Sequence, residues 1–370
     1  ILRIKYKKFK YIWIGYNMAY TTINKPTDYF NTKLYTGTGS SNAITGVGHQ
    51  PDFTWIKSRN NGSNNNHMLF DSVRGATKYV KSDQSSAENT LAETLKSFDS
   101  DGFTVGTQGD VNTNNINFVS WNWKAGTTGS GTSTGSGTGK AYSYSVNTTS
   151  GFSIVKYIGN GTAGHTIPHH LGIAPTYTLV KALGNTESWQ VITSGMDVDK
   201  FIQLNSSDAQ ISQGSYNMFN STRPSSTVVT LGNQNHTNQD GTNYIMYNFC
   251  NIKGFSKSGS YIGNGNANGP FVHTGFKPAW VLTKELPNSS SWDMHDNKRD
   301  PDNVCNKYLL AEDAGAEGTT DILDFLSNGF KFRTTNGDRN QADQKYIYIA
   351  FAEEPLVANI GTNGLPATAR

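Results

Sequence analysis

Three stretches of the chain, PDFTWIK (51–57), PTYTLVK (175–181) and PAWVLTK (278–284), repeat one pattern: proline, an aromatic residue two places on, an apolar residue two further, and lysine in seventh place. Each follows a Tyr-x-Gly-x-Gly whose tyrosine (Tyr35, Tyr157 or Tyr261) lies 16 to 18 residues upstream. Further on, NFVSWNW (117–123), NYIMYNF (243–249) and KYIYIAF (345–351) align without a gap. Self-similarity of this period constrains the fold more than any composition does, because each copy must be one repeated supersecondary unit. Alternate positions of the last run read Val119, Trp121, Trp123, then Ile245, Tyr247, Phe249, then Ile347, Ile349, Phe351. Period two is a strand signal, and this face is expected to be buried. The opposite face is only partly polar, as in a central strand covered on both sides.

The turns agree. FDSDGF (98–103) and FLSNGF (325–330) read as the same tight hairpin, with Asp-Gly and Asn-Gly expected to supply positive φ. Apolar residues make up 35% and charged residues 16% of the chain, a balance that favours short strands joined by many turns over helices. Helix formers cluster only around 86–98. The expected fold is therefore all-β, three tandem β-sandwich units of jelly-roll type, spanning 18–125, 151–255 and 256–355. The segment 126–150 opens with fourteen consecutive Gly, Ser and Thr residues. It reads as a flexible linker reaching about 20 Å, which would let the first unit swing while the other two pack together. Residues 356–370 read as a tail.

Net charge is +3, yet Arg3, Lys5, Lys7, Lys8 and Lys10 fall in the first 17 residues with no acid among them, which leaves the remainder at −2. The body thus has no basic field that would draw it to nucleic acid or an anionic membrane. No run approaches the 18 or more apolar residues of a membrane helix. Residues 1–17 are expected to be an upstream or disordered extension before Met18, since their apolar part is short for a signal peptide and no small-residue cleavage site follows.

Gly159, Gly161 and Gly164 have the spacing of a dinucleotide-binding turn. Such a turn must open a helix, and Pro168 stands where that helix would run. The triplicate motif reads instead as a repeated turn, and no cofactor is expected. His165, His169 and His170 resemble metal ligands, but no carboxylate travels with them and adjacent strand residues face opposite ways. Asp296, Asp300 and Asp302 form an oxygen-rich loop, weak as a calcium site because it lacks the glycine and terminal glutamate of an EF-hand loop. Asp296 and Arg299 match Asp71 and Arg74 in spacing, so a structural Asp–Arg contact is the preferred reading. Trp189 and Trp292 occupy matching places and are either core, the preferred reading, or platforms for sugar rings. Cys250 and Cys305 form no CxxC pair. HExxH does not occur, and the G-x-S-x-G match at 131–135 falls inside the Gly-Ser-Thr run rather than on a strand-to-helix turn, so no catalytic residue is assigned.

YFNTKLYTGTG, LFDSVRGATKYV, SFDSDGFTVGT, GPFVHTGFKPAWVLTK, DFLSNGFKFRT and the ending GLPATAR resemble the virion structural or tail-fibre-like proteins of marine and other environmental tailed phages. His170 stands where that family tends to place glycine. The resemblance implies a non-enzymatic component of the phage particle surface, on tail or capsid, with other virion proteins as partners. By analogy with fibres it also implies a homo-oligomer, a trimer if a fibre, and a host-surface role, whose adhesive version is attachment to a host-surface glycan. The alternative is a depolymerase that cleaves host polysaccharide, which takes two carboxylates flanking the scissile bond.

Overall fold

The computed structural model describes residues 20–61 and 65–357. The extension at 1–17 and the tail beyond 357 lie outside them. The fold is all-β, and its strand order can be followed in three sheets. The first runs Phe30–Thr36, Asn117–Trp123, Phe53–Ser58, Met68–Asp71, Lys78–Lys81, Asn89–Thr90. The second contains Phe152–Ile158, Asn243–Phe249, Tyr177–Ala182, Gln190–Thr193, Lys200–Gln203 in that order. The third contains Ser256–Ile262, Lys345–Pro355, Phe276–Glu285, Asp293–Asp296, Cys305–Leu310. In each, the strand that closes a unit pairs antiparallel between the strand that opens it and the proline-led strand.

All nine alternate residues singled out by period two, Val119 to Phe351, are buried. They are buried because the three sheets turn these faces toward one another. Phe53 stacks on Tyr247 at 4.4 Å, Trp123 meets Trp280 edge-on at 5.7 Å, and Phe249 meets Phe351 at 5.5 Å, so each pair of sheets is joined by aromatic contact. The centre is lined by four side chains from each sheet and retains a void of only about 20 Å³. Behind the first and second sheets, smaller sheets close separate apolar cores, Phe70, Phe103 and Phe118 in one, Val155, Phe219 and Met246 in the other.

The expected swinging first unit is corrected by this shared centre. The reading of 126–150 as a flexible tether is corrected as well: Thr127–Thr132 pairs antiparallel with Ala141–Asn147, which pairs in turn with Phe152–Ile158 and extends the second sheet. A Gly-Ser-Thr composition reads as linker, but here Gly129 and Gly131 lie under tyrosine rings. A Cβ added to them would come within 2.5 Å of the Tyr144 hydroxyl and 2.7 Å of the Tyr142 hydroxyl. Aromatic rings laid across glycines of a facing strand are a known means of stabilising an edge.

The Tyr-x-Gly-x-Gly motif has one structural explanation in all three places. Tyr35, Tyr157 and Tyr261 donate their hydroxyls to the carbonyls of Val111, Thr237 and Arg339, each on a one-turn helix. The helix's last residue, Asn112, Asn238 or Asn340, accepts from the backbone N–H of Thr38, Asn160 or Asn264 between the two glycines. The first glycine lets the backbones touch: a Cβ on Gly37, Gly159 or Gly263 would lie 2.1 to 2.3 Å from a helix-end carbonyl oxygen. No helix starts at these glycines, which is why they cannot hold a pyrophosphate. The hairpins at 98–103 and 325–330 form as expected, but Gly329 does not take positive φ. It is needed because its Cβ would strike the Val272 carbonyl at 2.1 Å.

Backbone contacts of this kind cannot yield as a side chain would. Gly159→Ala should therefore lower stability by about 1–3 kcal/mol or more. Gly184→Ala, whose new methyl meets nothing nearer than 3.6 Å, should change it by less than about 0.5 kcal/mol. Urea unfolding of the two variants checks the difference.

Candidate functional site

The residues with most chemical potential sit in the seams between the sheets. The three repeated lysines, Lys57, Lys181 and Lys284, are completely buried. Lys57 donates across the seam to the Ala314 carbonyl at 2.9 Å, Lys181 to that of Ser85 at 3.1 Å, and Lys284 stays within its own sheet, donating to that of Glu285 at 2.7 Å. Burial pushes each of the three down to about 8. A neutral buried amine invites a nucleophilic reading, but these are engaged with carbonyl oxygens. Backbone bonds cross beside each of the three sheet junctions: Glu88 N–H to the Leu183 carbonyl, Gln210 to Leu286 with Ser290 to Ser207, and Glu317 to Arg59, at 2.7 to 3.0 Å.

Two seams carry a buried ion pair. Arg74 holds Asp71, and Arg299 holds Asp296, both at 2.5 Å and with no side-chain exposure. A neighbouring sheet completes each carboxylate, through the Tyr247 hydroxyl on Asp71 (2.7 Å) and the Trp121 indole N–H on Asp296 (3.1 Å). In the second sheet Thr193 and Met196 replace the pair, and in the third Ile349 replaces the aromatic donor. Charge and donor are lost together, so no buried charge is left without a partner.

The other sequence candidates do similar work. Trp189 and Trp292 are 0% and 1% exposed and donate to the carbonyls of Lys81 and Gln203 in the adjoining sheets, so neither ring has a free face for a sugar. Asp296 is neutralised by Arg299, and Asp300 accepts from the Asn306 N–H at 2.6 Å. Asp302 is exposed. Among the described residues no group of three His, Cys, Asp or Glu is placed to hold a metal ion. His165 lies between Ser133 and Asn238, and His169 bonds the Ser225 carbonyl. His170 turns outward at φ +61°, a left-handed conformation that explains why glycine suits that place; Gly46 matches it at +78°. Cys250 and Cys305 are free and buried, which raises both thiols to about 12.

One surface has no counterpart elsewhere among the described residues, and sequence reasoning passed over it. The ribbon formed by 127–132 and 141–147 lies between the first two units and presents two faces. Tyr142, Tyr144 and His170 make an aromatic shelf on one: the tyrosine rings lie 6.2 Å apart, and His170 stacks on Tyr144 at 3.8 Å. The other closes a cleft of about 520 Å³ against the first unit, lined by Gln50, Asp52, Ser72, Lys124, Thr128 and Ser143, with Val73 and Tyr144 also contributing to its wall. Asp52 accepts from Ser72 Oγ at 2.7 Å, the Ala125 N–H at 2.9 Å and, more weakly, Ser145 Oγ at 3.5 Å. Desolvation raises its carboxyl against these bonds. Alternate glycines at 129 and 131 opposite Tyr142 and Tyr144 were the available signal.

Residues 25–355 match the family model described as Domain of unknown function (DUF7483). The chain belongs to this family. No curated protein and no solved structure matches it. The match spans all three sheets and the ribbon, so the seams and the cleft both fall within the family's domain.

The buried lysines make stability depend on pH. The folded chain releases their protons near pH 8, whereas the unfolded chain keeps them to about 10.5, so the unfolded state binds more protons in between and stability rises with pH. The rise should be visible from pH 7.5 to 9, at up to roughly 1.4 kcal/mol per lysine per pH unit. Beyond pH 9 the two buried thiols oppose it. Urea unfolding across this range measures the slope, and Lys181→Met should reduce it by about a third.

Proposed function

We propose that the protein is a non-enzymatic virion structural component, a surface-exposed appendage of tail-fibre type that engages host-surface glycan. The observation that carries the structural part is the fate of the repeated polar residues. Lysines, Asp–Arg pairs and helix-end asparagines that recur through the chain are all spent on holding the strands and sheets together. The phage assignment rests on the resemblance of the repeated segments to virion proteins of environmental phages. A body held this way suits a particle that must survive outside the cell, where marginal stability is a liability.

A three-sheet centre within one chain also bears on assembly. The three sheets of one chain already bury one another's inner faces, so the reading needs no homotrimer to create the core. The adhesive part is supported by the aromatic shelf, where His170 is exposed and Tyr142 and Tyr144 are half-buried, whereas Trp189 and Trp292 are fully enclosed. The alternative depolymerase would take two carboxylates about 5–9.5 Å apart in a cleft. Among the residues lining the ribbon cleft, Asp52 is the one carboxylate, and its oxygens are held by three donors.

Incubation of the purified protein with host capsule or lipopolysaccharide tests this. Polysaccharide retained on immobilised protein and recovered at its original length is the expected result. New reducing ends would overturn the non-enzymatic reading, and the absence of retention across hosts would remove the adhesive part.

A further inference from the structure

We propose that the cleft between the ribbon and the first unit is a binding site for a neutral saccharide of one or two residues. This rests on the adhesive reading above and names the place and the ligand class. The cleft is built by an element that is not triplicated: units two and three are joined directly, with Phe249 followed by the strand starting at Ser256, whereas 127–147 is inserted between units one and two. At the corresponding place in the second unit Thr176 stands for Asp52, the cavity shrinks to about 290 Å³, and Arg223 at its edge is tied to the Thr193 carbonyl at 2.6 Å and to that of Met196. In the third, Ala279 stands there, and Lys277 and Lys298 converge on Glu353. Neither of the other two places keeps a carboxylate at that position, and in both the basic side chains are already engaged by the protein itself.

The lining argues for the ligand. Facing pairs on the ribbon put Thr128 beside Ser145 and Ser130 beside Ser143, and of these Thr128 and Ser143 line the cleft while Ser145 is buried against Asp52 and the Gly126 N–H. Opposite stand Gln50, Ser72 and Asp52, with Lys124 at the side. One carboxylate and one ammonium cancel, and the remaining polar groups both donate and accept, which matches a molecule covered in hydroxyls better than an anion or a cation. Asp52 is 5% exposed and fixed by donors from three separate segments, so its remaining acceptor capacity is preorganised. About 520 Å³ falls within the usual range of small-molecule sites and suits one or two sugar rings.

Saturation-transfer NMR on the full chain tests this with glucose, galactose, mannose, N-acetylglucosamine and their disaccharides, and with glucuronic and sialic acids as an anionic arm. At least one neutral sugar should show transfer. Ser143→Trp, which fills the cleft, should abolish it, and Lys124→Ala, on a partly exposed side chain, should weaken affinity about tenfold with the melting temperature unchanged. Preference for the acidic sugars overturns the proposed class. Transfer that survives both variants but is lost in His170→Ala moves the site to the aromatic shelf and overturns the cleft while leaving the adhesive reading intact. No transfer from any sugar overturns the proposal; retained polysaccharide in that case would show that the adhesive reading stands without it.

Discussion

The structure depends on the burial of one aromatic face from each of three sheets against the other two. None of these faces has another place to go. Each sheet is apolar on both sides, and the strands behind, separate small sheets in the first two units and the continuation of the same sheet in the third, cover only the outer side, so the inner side must find a partner of equal size. Three such faces satisfy one another around Phe53, Trp123, Tyr177, Phe249, Trp280 and Phe351. Burying these rings stabilises the fold at about 25 cal/mol per Å² of apolar surface removed from water. The polar seams then set the relative position of the sheets. Lys57, Lys181, Trp121, Trp189, Tyr247 and Trp292 each donate to the sheet next in the same sense around the centre. That directionality closes a ring where an apolar contact alone would tolerate sliding.

Much of this was legible in the residues. Period two in Val119–Trp123 and its two counterparts identifies the strands and the buried face, and the coupled spacing of Tyr-x-Gly-x-Gly and the proline-led strand identifies the unit. The glycines read as architecture because Pro168 rules out the helix a cofactor turn requires. Closure was not legible. A sheet buried on both sides reads the same whether its second cover is a neighbouring unit or an element of its own, and contacts such as Trp121 to Asp296 join residues far apart in the chain.

The ribbon escaped the sequence reading for a different reason. Thr127–Thr132 contains no apolar residue, and composition alone assigns such a run to linker. What makes it a strand is the partner: Tyr142 and Tyr144 supply the apolar surface and need glycine beneath them. The cleft inherits this invisibility, since its wall consists of the serines and threonines that make the segment look unstructured. Asp52 follows the repeated proline at a position where the other two units carry Thr176 and Ala279, so the repeat gives it no weight. Its surroundings come from the Ser72 hydroxyl, the Ala125 N–H and the ribbon hydroxyl of Ser145, which converge on it from three segments.

Scanning calorimetry tests the shared centre most directly. If the three sheets bury one another's inner faces, none can melt while the others persist, and the chain should unfold in a single transition whose van't Hoff and calorimetric enthalpies agree. Two or three separate transitions, or a first unit that unfolds independently of the rest, would contradict the account.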